Sequence, residues 1–227
     1  MPKAPYDQNP GDAPSMLSPA IGQSVTYRDA VKRGLDVVLS LLMLPMLAPV
    51  ILCLYVAARM DGGPGFFGHA RVGRNGELFK CWKIRTMVPD AKERLEELLA
   101  TDPEARAEWE RDQKLRCDPR VTPMGDFLRR SSLDELPQIW NVLRGEMSLI
   151  GPRPITEPEL ERYRSRKWVY LALRPGVTGL WQVSGRNEVS YDERVDLDSE
   201  YFHTLSLRSD LSILSRTVGA VLFRSGY

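Results

Sequence analysis

The sequence predicts an α+β fold, mainly helical, in which a re-entrant membrane helix and a small cytoplasmic domain with a β-hairpin surround a helical core. Three observations carry this. Val37–Ala58 is an apolar run of about 22 residues without a charge. Asn75-Gly76 separates two short apolar-rich segments, a strong hairpin signal. No G-x-G-x-x-G turn follows a strand, so no Rossmann sheet is expected.

Residues 1–26 are rich in Pro, Gly, Ser and Ala and read as a flexible tail ahead of one unit spanning 27–227. They make no signal peptide, because the apolar run starts too late and no A-x-A site follows it. Within the unit, 27–60 forms the membrane helix and 61–227 the cytoplasmic or interfacial part. At 1.5 Å per residue the apolar run covers roughly 33 Å, enough to cross a hydrocarbon core. Arg28, Lys32 and Arg33 precede it, and Arg59, Arg71 and Arg74 follow, so the positive-inside tendency keeps both flanks cytoplasmic. Pro45 and Pro49 lie near the middle, each removing a helix hydrogen bond and freeing the carbonyls of Leu41 and Pro45. A helix that dips into the bilayer and turns back accounts for both features and is preferred to a plain span. The freed carbonyls need a partner at that depth, and Ser40 is the nearest hydroxyl.

Asp61-Gly-Gly-Pro-Gly65 breaks the helix, and the hairpin follows. Along its second strand Phe79, Cys81, Lys83 and Arg85 share a face by the period of two. Lys83 and Arg85 make either a phosphate clamp or a solvated face. Asp90–Lys114 is a charged helical stretch interrupted at Asp102-Pro103, with Leu95, Leu98 and Leu99 as its apolar stripe. A helix after Asp134 carries Ile139, Trp140, Val142 and Leu143 and stops near Gly145. Glu157–Leu173 is helical by pattern. Asp210–Phe223 has one apolar face, which packs on the core or lies on the bilayer.

The net charge of +1 spreads over basic clusters and acidic stretches, without a long basic tract interleaved with aromatics, so nucleic acid is not the expected partner. Three cysteines far apart read as free thiols, and two histidines without a partner at ligand spacing argue against zinc.

The chemistry concentrates in Arg129-Arg-Ser-Ser-Leu-Asp134-Glu135-Leu-Pro137-Gln. Ser132 followed by Glu135 reads as a capping box, which places Asp134 and Glu135 at a helix start. Two readings remain at this point: the acids serve the helix dipole, or they stay ionised to work beside a phosphate or a divalent cation. Downstream, Arg153 between two prolines sits on a stiff backbone, as a planar receptor for phosphate oxygens or as part of a rigid turn.

The ordered motifs R-V-G-R-N-G from Arg71, K-I-R-T-M from Lys83, S-L-D-E-L-P-Q from Ser132, M-S-L-I-G-P-R-P from Met147 and R-P-G-V-T-G-L-W-Q-V-S-G-R-N from Arg174 follow the basic-flanked, proline-bearing apolar segment. Together they resemble the bacterial monotopic phosphoglycosyl transferases, or polyprenyl-phosphate sugar-phosphate transferases, of the small exopolysaccharide-initiating type. The resemblance runs from about Tyr27 to the C-terminus. It implies transfer of a sugar 1-phosphate, galactose or glucose, from a UDP-sugar to undecaprenyl phosphate at the cytoplasmic face of the bacterial inner membrane, with release of UMP. It implies Asp134 as the nucleophile that forms a phosphosugar–aspartyl intermediate and Glu135 as a Mg²⁺ ligand. Lys83, Arg129 and Arg153 then bind phosphates or organise the site. A binding role for Arg85 and Arg186 follows from charge and position, and downstream glycosyltransferases are possible partners. Where small members often carry Ser-Pro at the membrane kink, this chain has Ala48-Pro49 and an additional Pro45.

Two other classes were weighed. A glycosidase needs carboxylates facing each other across roughly 5 to 9.5 Å, whereas neighbours on a helix point about 100° apart. A non-catalytic membrane-anchored scaffold, binding lipid phosphates or assembly partners, has no need of the Asp134–Glu135 pair.

Overall fold

The computed structural model describes residues 27–60, 62–112, 115–185 and 189–222. The expected tail, the helix break at Asp61 and the role of Arg186 fall outside the described residues.

After one wide turn at Tyr27–Val31, helix α1 spans Lys32–Arg59 and continues through Pro45 and Pro49. It is long and apolar enough to cross a membrane. Its burial is inverted relative to a soluble helix. Lys32, Asp36 and Ser40, successive turns of one face, are buried, while Leu42 and Met46 are 71% and 68% exposed. That is the pattern expected where apolar side chains have an apolar medium to face and the polar stripe turns to the protein. Ser40 does not relieve the proline-freed carbonyls, since its buried hydroxyl has no hydrogen-bond partner among the described residues.

Strands β1, Phe66–Val72, and β2, Leu78–Ile84, pair antiparallel with Phe67 opposite Lys83. Asn75 and Gly76 take φ of 60° and 83°, the left-handed pair that a tight hairpin turn requires. The charged stretch forms α2, Ala91–Thr101, and α3, Pro103–Asp112. The break is made by Asp102, whose Oδ1 accepts from the N–H groups of Glu104 and Ala105. Next come α4, Pro123–Ser131, a single tight turn at Leu133–Glu135, and α5, Gln138–Arg144, closed by Gly145 at φ 84°.

Strand β3, Ser148–Ile150, pairs parallel with β4, Gly176–Thr178. Three-residue strands leave too little periodicity to read in sequence. The helix expected over 157–173 is in fact α6, Glu157–Glu161, a tight turn at Arg164–Arg166, and α7, Lys167–Leu171. Arg164 at φ 51° interrupts the helical path. Helices α8, Leu180–Val183, α9, Tyr191–Thr204, and α10, Leu207–Leu222, complete the described chain. Helix α9 was not anticipated, although Ser190 and Glu193 form its capping box.

The core is a chain of clusters. Val72, Ile155, Tyr163, Tyr170 and Val195 form one, and Ile150, Leu173, Tyr201 and Ile213 a second. Leu149 links the second to Phe79, Cys81, Val142 and Met147. Ile213 seats α10 on the core, while Leu211 and Val218 on the same helix remain exposed.

Candidate active site

Three elements bring the central residues together. Asn141 of α5 is fully buried and acts as a strand partner for β2: its Oδ1 accepts from the Trp82 N–H at 3.0 Å, and its Nδ2 donates to the Lys80 carbonyl at 2.8 Å. This docks α5, and the turn before it, against the strand that carries Lys83. On the other side, Gly125 of α4 lies so close to the Thr86 backbone that a Cβ would overlap its carbonyl. The Thr122 N–H donates to that carbonyl at 3.1 Å, and the Arg129 Nε donates to the Thr86 hydroxyl at 2.9 Å.

The expected capping box is absent. Ser132 takes φ 56° at the C-terminal end of α4, and its N–H donates back to the Arg129 carbonyl. A left-handed residue there ends α4 and reverses the chain, so the Ser132 side chain cannot cap the next turn. Asp134 and Glu135 therefore sit in a tight turn between two helices, and Pro137 precedes α5 as its N-cap residue.

Lys83 faces both acids. Its Nζ is 2.6 Å from Glu135 Oε1 and 3.4 Å from Asp134 Oδ2. Asp134 is 6% exposed. Burial raises its pKa, Lys83 opposes that rise, and the neighbouring Glu135 charge adds to it. Glu135 moves the other way. Burial works against its charge, but Lys83, Arg153 and Arg71 outweigh burial and lower its pKa. Two adjacent carboxyls are thus held in opposite electrostatic settings. Burial dominates above the usual range for Cys81, whose thiol is pushed up to about 11 despite Lys83 close by.

The predicted cations divide into two groups. Lys83 touches the acids, and Arg129 and Arg153 are within range to act on them by charge. Arg153 forms no hydrogen bond to another described residue, and its guanidinium stacks over Trp181 at 5.8 Å. Arg85 does not belong to the site. Its Nε donates to the Pro64 carbonyl, Nη1 to Met87 and Nη2 to Ala58, at 2.6, 2.7 and 2.5 Å. A strand-end cation one step beyond Lys83 on the same face meets the end of α1 instead, where C-terminal carbonyls attract it.

Sequence reasoning missed Arg71, Trp181 and Arg194. Arg71 lies in the R-V-G-R-N-G motif, yet it was assigned only to the membrane flank. It pairs with Glu159 at 3.1 Å and adds its field to Glu135. No cluster of three His, Cys, Asp or Glu suited to a metal occurs among the described residues. A magnesium ion whose shell is completed by substrate phosphates and waters needs only one or two protein carboxylates, and Glu135, the expected ligand, would supply one.

A family model described as bacterial sugar transferase matches residues 27–224. The chain is 55% identical over 196 residues to the UDP-galactose-lipid carrier transferase of Erwinia amylovora, covering 86% of this chain and 41% of the relative. It is 54% identical over the same length to the undecaprenyl-phosphate galactose phosphotransferase of Salmonella typhimurium, again 86% and 41%. The chain thus spans about two fifths of the length of these relatives. The exopolysaccharide production protein ExoY of Rhizobium meliloti is 48% identical, with 86% of this chain and 87% of the relative covered. By these matches the chain belongs to the bacterial sugar transferases, the polyprenyl-phosphate sugar-phosphate transferase family.

Proposed function

We propose that the protein transfers a hexose 1-phosphate from a UDP-sugar to undecaprenyl phosphate and releases UMP, at the cytoplasmic face of the bacterial inner membrane. The carrying observation is buried Asp134 beside half-buried Glu135, faced by Lys83 and within the field of Arg129, Arg153 and Arg71, on a domain packed against a membrane-type helix. The names of the relatives, with UDP-galactose, a lipid carrier and undecaprenyl phosphate among them, support this substrate pair. They favour galactose, and a 37% identical glucose-1-phosphate transferase of Escherichia coli keeps glucose open.

In the proposed reaction an Asp134 carboxylate oxygen attacks the β-phosphorus of the donor. The bond from that phosphorus to the UMP oxygen breaks, UMP leaves with the electron pair, and a phosphosugar–aspartyl ester remains. A phosphate oxygen of undecaprenyl phosphate then attacks the same phosphorus and frees Asp134. Such transfers depend on positioning and charge neutralisation more than on proton movement. Lys83 holds Glu135 ionised, and Arg129 and Arg153 meet the donor's negative charge. Bound magnesium, held by Glu135, would offset the diphosphate charge. The lipid-linked product suits hand-over to downstream glycosyltransferases that build an exopolysaccharide or related glycan.

A re-entrant course for α1 is supported by where its ends are tied. A straight helix of this length would reach about 42 Å. Near its start Arg33 donates to the Val142 and Leu143 carbonyls. Near its end Ala58 packs on Ile84 and Leu128. Asn141, next to Val142, bonds Trp82, two residues from Ile84. Both ends are thus held by the α5–β2 pair, while Leu41, Leu42 and Met46 between them stay exposed.

Nucleotide product analysis tests the reaction. Protein in detergent is given magnesium, undecaprenyl phosphate and, in turn, UDP-galactose, UDP-glucose and UDP-N-acetylhexosamines. Acceptor-dependent UMP from one donor is the expected result. UDP instead would mean plain glycosyl transfer and would overturn the proposal.

A further inference from the structure

Beside the acids lies an aromatic–arginine wall of which the mechanism above uses only Arg153. Trp181 of α8 has two guanidinium groups on its ring, Arg153 at 5.8 Å and Arg194 at 4.8 Å from its centroid. Arg194 also lies 5.3 Å from the Tyr191 ring, which itself carries Arg162 at 3.6 Å. Arg194 is therefore within cation–π range of two aromatic rings.

What singles out this wall is its hydrogen bonding. Among the described residues, the buried Arg194 Nε and Nη2 and the buried Trp181 Nε1 have no acceptor. Arg153 makes no hydrogen bond to a described residue, and stacks on the same indole. Asp198 and Glu159 lie within reach of the Arg194 charge, but their carboxylates are taken up elsewhere, Asp198 by the Tyr163 hydroxyl and Glu159 by Thr156 and Arg71. Buried donors without acceptors are rare in folded proteins, because each has given up water for nothing in return. Several around one indole form a surface short of acceptors. Arg153 connects this surface to the acids, since its charge acts on Glu135.

A ligand that completes such a wall is flat, anionic and rich in acceptor oxygens. Resting on the proposed reaction, we propose that Trp181 and Arg194 bind the nucleoside diphosphate part of the donor. Arg153 takes the phosphate nearer Asp134, and Arg194 with the indole N–H takes acceptors further along the nucleotide. Arg194 is then a binding residue, and its loss weakens the donor without touching the lipid acceptor.

The test uses the full chain in detergent with magnesium. UDP and UMP binding are measured by calorimetry for wild type, Arg194→Gln, Arg194→Lys and Trp181→Phe, alongside donor and acceptor KM and thermal melting. Loss of a charge-assisted contact predicts about tenfold weaker UDP binding for Arg194→Gln and about threefold for Trp181→Phe, which keeps an aromatic ring but removes the N–H and part of the stacking face. Donor KM rises by the same factors, and acceptor KM stays put. UDP affinity within twofold of wild type in both variants overturns the proposal. If Arg194→Gln melts, Trp181→Phe and Arg194→Lys decide by the same criterion. Wild-type protein that binds UDP through this wall but yields no UMP from any UDP-sugar would sink the transfer reaction and leave the nucleotide site standing.

Discussion

Lys32 and Lys83 each meet buried carboxylates, and the two clusters are built on different terms. Asp210 is saturated: Lys32 and the Tyr27 hydroxyl donate to its Oδ2 at 2.7 and 2.8 Å, and the Tyr201 hydroxyl donates to Oδ1 at 2.7 Å. Tyr201 also reaches the Ile150 carbonyl, so the cluster joins the start of α1 to α9, α10 and β3. Asp134 is nearly as buried, yet among the described residues its carboxylate has only Lys83, at 3.4 Å, and shares that lysine with Glu135. A carboxylate with close donors on both oxygens holds a fold together. One left short of donors is held ready for a substrate or a cation.

The comparison breaks first at Asp134. Asp134→Asn should lower turnover by about four orders of magnitude, and the covalent phosphosugar adduct formed with donor alone should disappear from the intact-mass spectrum. The variant should still purify as folded protein. Activity near wild type would remove the nucleophile and with it the contrast.

At Asp210 the expected effects reverse. Asp210→Ala leaves Lys32 buried without its ion-pair partner and the Tyr27 hydroxyl without its acceptor, with Tyr201 reduced to the Ile150 carbonyl, which should cost about 3–5 kcal/mol of stability. Turnover per folded molecule should change far less than in Asp134→Asn. Unchanged denaturant stability would show that the saturated cluster does not tie α1 to the domain.

A smaller effect is expected at Lys83. Lys83→Met removes the main charge that holds Glu135 below its usual range, so burial should then push that carboxyl up. The acid limb of the rate profile should move to higher pH along with a lower plateau. A profile that drops without moving would mean that Lys83 serves the donor phosphates alone.

How far the sequence revealed this follows from the range of each signal. The hairpin was legible because Asn75-Gly76 encodes its own turn, and the break between α2 and α3 because Asp102 caps locally. The apolar length of α1 was equally plain. The acid pair stands out in the sequence, but its local frame does not: Ser-x-x-Glu has the spacing of a capping box, whereas Ser132 is the left-handed residue that ends α4. The period of two puts Arg85 on the Lys83 face, while its guanidinium meets the carbonyls of Ala58, Pro64 and Met87, the first two distant in sequence from that strand. The β3–β4 pair and the Trp181–Arg194 wall depend on contacts between short segments, and no local pattern announces either.

The most delicate contrast concerns stability against pH. Burial raises the Asp134 pKa above that of an unfolded aspartate, so folding favours its neutral form. Below the unfolded pKa of about 3.9 the group is protonated in both states and has no effect. As pH rises through the window between the unfolded and folded values, the unfolded chain gives up its proton more readily, and stability is lost. Asp134→Asn removes that loss. Its melting temperature should therefore exceed wild type at neutral pH, with the gap closing as pH falls toward about 4. Calorimetric melts of both proteins across that range measure the gap. An asparagine variant less stable than wild type at pH 7 would mean that Lys83 outweighs burial, and that Asp134 resembles Asp210 in what it does for the fold.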